Sequence, residues 1–562
     1  MKRISYLLWI LMSATSVAQI QIIQPGNLHL RNGLNREWSS FPVHAKDSQL
    51  VIHFKTSNVS IEKTLMLSHT DVNHTWKVIV NGKGLGNLEI DEKKMDTYFP
   101  ISPGTLNEND NTLIIRPESM NRTQADDILV GNIALCDKQV DDLLTESSLN
   151  IHSGIPSRLT IINQRNSLQP VKAVAGDTLA SRCGVIYSGT GNFSFTLPAG
   201  RYKIYASRGF EYGVDSAVFD LSPGQNLSRR LKLKHEVNLK DWVSVDTHLH
   251  TLEHSGHGDA TMKERILTIA GEGLDYAVIT EHNKVVNIED SVKRMKMDKW
   301  FTPIAGDELT TDVGHFNIFP ADSAPPHEVH NWAELNENLE KNKEVKIVIL
   351  NHARDMHNGF RPSDSLQYLD AKEIPANAME IINSGSQQTD PRQLYLDWLS
   401  LISKRIVLTP VGSSDSHDVS RFIPGQARTY VRKGNLFQNF LAGRVSVSFG
   451  LFTELTRHPA KKNSIIVKVY APSWIRPTSL SLYANGKKIY GSGIRSTRNS
   501  GSNVYVTQIN IPKFSNETIL VAVAEGGDPA VPWWPIAKPY QHESPDIDPI
   551  VLGITGPVRI SP

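Results

Sequence analysis

Metal-type side chains recur along this chain, each just after a run of β-forming residues. The series begins with Val-Ser-Val-Asp246-Thr-His248-Leu-His250 and Ala-Val-Ile-Thr-Glu281-His282. It continues through Ile-Ala-Gly-Asp307-Glu308, Lys-Ile-Val-Ile-Leu-Asn351-His352 and Val-Gly-Ser-Ser-Asp415-Ser-His417. One H-x-H carries little weight, because 20 histidines scattered at random over this length give about one such pair. The clustering carries more: eleven of the 20 fall between His248 and His417. In an extended strand His248 and His250 project to the same side, so both imidazoles can reach one ion. Glu308 has two oxygens and can bridge two cations that would otherwise repel. Asp415 and His417 again sit two apart after a strand-like run. This donor set exceeds the four that a structural zinc uses. A two- or three-metal hydrolytic centre is therefore expected, in which an ion-bound hydroxide attacks and the metals stabilise the developing oxyanion. His-plus-carboxylate donors suit Zn, Mn or Fe better than Ca or Mg.

The elements that position these residues follow from periodicity. From about 240 strand and helix alternate. Strand-like Val243 to Val245 precedes Thr261 to Ala270, whose apolar positions 262, 266, 269 and 270 have helical spacing. Short apolar runs recur at Tyr276 to Thr280, Ile347 to Leu350, Met379 to Ile382 and Ile406 to Leu408, with helix-like segments at 331–342, 391–404 and 436–442. Repeated βα units predict a parallel sheet or barrel with the ligands at its strand ends.

On these residues the chain resembles a known family. D-x-H-x-H at 246–250, T-[DE]-H at 280–282, Gly-Asp-Glu at 306–308, Asn-His at 351–352 and S-D-S-H at 414–417 are similar to the PHP (polymerase and histidinol phosphatase) metallohydrolases. The loop from His250 to Thr261 resembles the CehA/McbA-like branch. The resemblance covers 240 to 450 and implies a distorted (β/α)7 TIM-like barrel holding up to three metals. It also implies that His248, His250, Glu308 and Asp415 hold one ion, and that Glu308 bridges to a second held by His315 and His352. By the same resemblance His282 and His417 would belong to a third position, completed by a group in the loop after H-x-H, where both His254 and His257 are available and spacing does not choose between them. Glu281 stands where many members have Asp. Family relatives cleave phosphoesters, and the CehA-like branch includes carbamate-ester hydrolysis. Arg354 and Arg421 are candidates to clamp an anionic substrate group, with a structural ion pair as the alternative for each.

Around the 238–450 segment the chain reads as β. Residues 19–140 alternate in the manner of a galactose-binding-like jelly roll with a turn at Asn81-Gly82, and 150–236 has the rhythm of a small sandwich. Residues 451–562 return to β and predict a C-terminal sandwich with a turn at Asn485-Gly486. The 487–504 stretch, rich in Gly, Ser and Arg, reads as a loop. Residues 1–18, Met-Lys-Arg, an apolar run and Ser16-Val17-Ala18, have the form of a cleaved signal peptide, which places the protein in the periplasm or outside the cell. That apolar run is shorter than the ~20 residues needed to span a bilayer, so no stable membrane insertion is expected. Export would let Cys136 and Cys183 pair, and two separate buried thiols fit equally. Lys plus Arg (59) balances Asp plus Glu (58), which leaves no global field for nucleic acid. P-loop, G-x-S-x-G and dinucleotide fingerprints are absent.

Two functions from different classes follow. One is an exported metal-dependent hydrolase of a small-molecule or glycan-linked ester. The other is a carbohydrate- or surface-binding protein whose barrel is a metal-stabilised scaffold. Retention of nearly the whole donor series favours the enzyme.

Overall fold

The computed structural model describes residues 19–38, 40–120, 125–173, 176–354, 374–385, 391–494, 504–537 and 548–562. The proposed signal peptide and residues 495–503 lie outside the described residues, and Lys487–Gly493, read above as part of a loop, forms a strand.

Residues 20–136 form two antiparallel sheets. One holds Ile20–Gln24, Leu28–Asn32, Lys63–Thr70, Met95–Ile101 and Asp126–Cys136, and the other Leu50–Phe54, Trp76–Val80, Lys83–Asn87 and Asn111–Pro117. Alternation along Trp76–Val80 puts Trp76, Val78 and Val80 inward, where they pack with Leu65, Leu113, Ile115 and Val130. Asn81 and Gly82 both have positive φ (49° and 80°), as a two-residue hairpin turn with the sheet's own twist requires. Residues 147–230 make a second pair of sheets around Leu149, Ile161, Ile186, Phe195 and Ile204. Cys136 and Cys183 are not bonded to each other.

The central region is built differently from the expected (β/α)7 barrel. A sheet begins with three parallel strands, Thr302–Ala305, Tyr276–Ile279 and Trp242–Leu249. It then continues antiparallel through Ala427–Arg432 and Val445–Phe449 into Ile550–Thr555, Thr518–Gly527, Pro477–Ala484 and Lys487–Gly493. A second sheet runs Asp307–Thr311, Gly314–Phe319, Ile347–Leu350, Ala378–Asn383 and Thr409–Ser413, and only its last two pairings are parallel. The barrel expectation is thus corrected to two mixed sheets in a chain that is mostly β, with 36 strands and seven helices among the described residues. The physical reason is local. The chain turns back at Gly314 (φ 125°) instead of crossing over through a helix. The strands after residue 427 also pair antiparallel with their neighbours, which breaks the βα repeat that a parallel barrel needs.

Helices that do form follow their sequence signals. Thr261 and Glu264 make a capping box at the start of Met262–Gly271, and Asn331 and Asn435 cap Trp332–Lys341 and Leu436–Leu441. Among the described residues no helix is long and apolar enough to cross a membrane.

Phe452–Arg457, Ser464–Tyr470 and Val504–Asn510 form a separate three-stranded sheet, whereas the other C-terminal strands, Val558–Ile560 among them, share the ten-stranded sheet with the central ones, so that Leu480, Val521, Val523 and Leu552 are continuous with Met379, Trp398 and Leu399. Isolated parallel bridges, Leu249 to Ser416 and His282 to Glu308, bring the ends of the two central sheets together. The ligand-type side chains meet at that seam.

Candidate metal centre

His248 and His250, from the end of Trp242–Leu249, are fully buried side by side with Glu308 and Asp415. His248 Nε2 lies 3.3 Å from Glu308 Oε2 and 3.2 Å from Asp415 Oδ1, and His250 Nε2 lies 3.3 Å from each of the same oxygens. Ligands 2.0–2.1 Å from a tetrahedral ion are separated by roughly 3.3 Å along each edge. Four of the six edges among these donor tips therefore have the spacing of a coordination shell. Several also lack any other use: His248 Nε2, His250 Nε2, Glu308 Oε2 and His417 Nε2 are buried without a hydrogen bond, a costly state for polar atoms unless a cation satisfies them. The residues present fit a metal.

Two further donor groups adjoin this one. Glu308 Oε1 lies 3.0 Å from His315 Nδ1 and 3.3 Å from His352 Nε2, so the carboxylate faces both groups, as a bridge would. On the other side His250, His282 and His417 form a third group. His417 stacks on His250 with ring centroids 4.0 Å apart. Of the two loop histidines, His257 reaches this group: its Nε2 is 3.1 Å from His282 Nε2 and its ring stacks on His417 at 4.2 Å. His254 Nδ1 instead accepts a hydrogen bond from Lys284 Nζ, at 3.2 Å.

The inner donors attract one another as ions: against the cost of burial, Asp415 and Glu308 push His248 well above the usual imidazole value and Glu308 pushes His352 up to about 9, so a cation entering there would have to displace their protons. Burial opposes ionisation of Glu308 and Asp415, but the surrounding histidines, His248 foremost, hold both well below the usual carboxylate range. Burial and the neighbouring His250 push His417 well below the usual imidazole value, which keeps it neutral with a lone pair to give. Burial also lowers His257, helped by His282. Asp415 adopts left-handed backbone geometry (φ 51°), uncommon for a residue with a side chain, and its N–H is tied to His248 O at 3.0 Å.

Sequence reasoning missed the supporting shell. Glu380 accepts from His248 Nδ1 at 2.8 Å, which fixes the tautomer so that Nε2 faces the cluster. Its other oxygen accepts from His352 N at 2.7 Å and Asn383 Nδ2 at 2.9 Å. A carboxylate inside the apolar run Met379-Glu-Ile-Ile382 was the available signal. Asn351 Nδ2 donates to Glu308 Oε1 at 3.1 Å, and Glu281 binds Thr251 N and Oγ1 instead of joining the donors. Arg354 grips Asp397 through Nε and Nη2 at 2.5 and 2.8 Å and Gln393 through Nη1 at 2.8 Å. Arg421 binds Glu92 and Asn73. Both arginines thus have carboxylate partners within the protein.

Comparisons with known proteins place no family on the chain. No family model matches, and no curated protein matches. Solved structures that align include a β-glucuronidase of Bacteroides uniformis at 10% identity and TM-score 0.19, over 97% of this chain and 80% of that one. A putative β-galactosidase from Bacteroides fragilis aligns at 13% identity and TM-score 0.23, over 90% and 96%. An FMN-binding β-glucuronidase from Facaelibacterium prausnitzii L2-6 aligns at 9% and 0.20, over 90% and 96%. None of these is a PHP metallohydrolase. The expected membership of that family is withdrawn, since neither the comparisons nor the sheet topology bears it. TM-scores of this size carry no argument about activity.

Proposed function

We propose that this chain is an exported, metal-dependent hydrolase of ester-type bonds. The observation that carries the proposal is the convergence of His248 Nε2, His250 Nε2, Glu308 Oε2 and Asp415 Oδ1 at 3.2–3.3 Å, with orphaned donor tips among them. Those four residues would hold one divalent ion, Glu308, His315 and His352 a second, and His250, His282, His417 and His257 the outer end of the centre. When bound, such ions act as Lewis acids that activate water and neutralise charge on the reacting oxygens. The chain's own part is to preset the donors. Glu380 Oε1 accepts a hydrogen bond from His248 Nδ1, and Asn351 orients Glu308. Arg265, fully buried, binds the carbonyls of His250 and Ser416 at 2.9 and 2.8 Å and so locks the two ligand-bearing turns together.

Charge balance bears on the substrate. Among the described residues the candidate donor groups include two carboxylates, Glu308 and Asp415, and even with Glu380 beside His248 their charge is smaller than that of two or three divalent ions, so the centre would be left positive. An anionic phosphoester is favoured over a neutral carbamate or carboxylate ester. The glycan-binding reading has less support, because a scaffold under no catalytic demand has no need of so complete a donor set.

The test pairs an aryl phosphomonoester with an aryl carbamate and an aryl carboxylate ester of the same leaving group, using protein loaded with Zn, Mn or Fe. Chelator-sensitive hydrolysis, fastest on the phosphoester and abolished by His248→Ala plus His250→Ala with a lowered metal stoichiometry, is expected. Undiminished metal stoichiometry after that double change, or equal hydrolysis by chelated protein, would sink the proposal.

A further inference from the structure

We propose that Arg182, in the second β module, is a positioning residue that holds the outer end of the metal centre in place. The inference rests on the metal-centre reading above. It starts from the loop that carries His257. Gly258 (φ 79°) lies so close to His417 that an added Cβ would sit 2.6 Å from both the Cβ and the carbonyl oxygen of that residue. The amides of Asp259 and Ala260 both donate to His417 O, at 3.3 and 3.1 Å. Asp259 then binds the far side of the same turn, its Oδ1 accepting from Val419 N at 2.7 Å. The two segments that bring His257 and His417 into ring contact are thus joined through Asp259.

Arg182 fixes that joint from outside. Its Nε donates to Asp259 Oδ2 at 2.8 Å and its Nη2 to Asp259 O at 2.6 Å. Nη1 and Nη2 also donate to the two oxygens of Glu264, at 2.8 and 3.1 Å. Glu264 is itself fixed at the N-terminus of Met262–Gly271 by its capping box with Thr261. The guanidinium fork therefore ties loop 256–260 to the helix that follows it and to the strand Leu179–Arg182, a fixed planar geometry that a lysine cannot reproduce. His248, Glu308 and His352 are anchored separately through Glu380 and Asn351. Loss of Arg182 should loosen the outer histidines alone.

The experiment uses the full chain as wild type, Arg182→Ala, Arg182→Lys and Asp259→Asn, with Arg201→Ala as a control that removes an exposed ion pair of the same module. Zinc affinity and stoichiometry are measured by titration and mass spectrometry. In metal-free protein the rate of His417 modification by diethyl pyrocarbonate is followed by peptide mass spectrometry. Arg182→Ala should weaken the most weakly held zinc by roughly 10-fold or more, leave the tighter zinc unchanged and speed His417 modification, while the melting transition stays cooperative. Arg182→Lys should fall between wild type and Arg182→Ala. Asp259→Asn, which keeps an acceptor for Val419 N and is the milder change should Arg182→Ala unfold, should move both readouts in the same direction. Wild-type values of both readouts in Arg182→Ala, or equal loss in Arg201→Ala, would overturn the proposal. If wild-type protein bound no stoichiometric zinc, the metal-centre reading itself would fail, and the His417 comparison in metal-free protein would still decide whether Arg182 positions the loop.

Discussion

At the residue scale, the donors differ in how each is held, and this gives graded expectations. His248 depends on Glu380 for its tautomer, so Glu380→Gln should lower metal affinity by roughly 10- to 100-fold without removing a ligand atom. Metal titration of the folded variant checks this, and an unchanged affinity would mean that the 2.8 Å contact does not set the donor. Asp415→Asn removes a negative donor from the tetrahedral group, and hydrolysis should fall by orders of magnitude while the fold persists. Arg354 is different. Its guanidinium is spent on Asp397, so Arg354→Ala should lower stability more than it changes discrimination between anionic and neutral esters. A selective loss of the anionic substrate would restore the clamp role.

At the element scale, turns fix how strands and helices meet. Gly486, with φ 77°, lies against the helix Pro391–Ser403, where a Cβ would come within 2.2 Å of Leu399 O. Gly486→Ala should therefore cost more than about 1 kcal/mol and lower the melting temperature. The β-rich N-terminal sheets carry a pH-dependent element as well. Burial, reinforced by Asp126, raises the Glu37 carboxyl from 4.5 to about 9. A group that binds its proton more tightly when folded contributes stability that is fully present below about pH 4.5 and is lost as pH rises through about 9. Hydrogen exchange across residues 19–140 in the full chain should thus quicken between pH 5 and 9, after correction for intrinsic exchange. Glu37→Gln should flatten that trend, and a parallel trend in the variant would assign it to other groups.

At the scale of the whole molecule, the β modules grip the turns that carry His257 and His417. Besides Arg182, Lys93 Nζ donates to Ser420 O at 2.9 Å, and Arg421 binds Glu92 at 2.6 Å. A chain beginning near residue 238 loses all of these ties. It should retain the inner donors yet lose the outer group and much of its solubility, which metal counting on the truncated protein would check. Full outer-site affinity in that truncation would show that the modules serve some other purpose.

The sequence alone carried the clustered histidines and carboxylates as candidates, because ligand chemistry needs particular side chains and a strand's period of two puts His248 and His250 on one side. It also carried the helix at 262–271 through its cap and apolar spacing, and the turns at Asn81-Gly82 and Asn485-Gly486 through their need for positive φ. The barrel did not survive. Short apolar runs look alike whether they pair parallel or antiparallel, and pairing direction is set by long-range contacts that no local period encodes. The choice of His257 over His254, the engagement of Arg354 and Arg421, and the support from Glu380 and Arg182 likewise emerged only from the tertiary structure. Each depends on which distant group a flexible side chain meets, and that is decided when separate sheets close on one another.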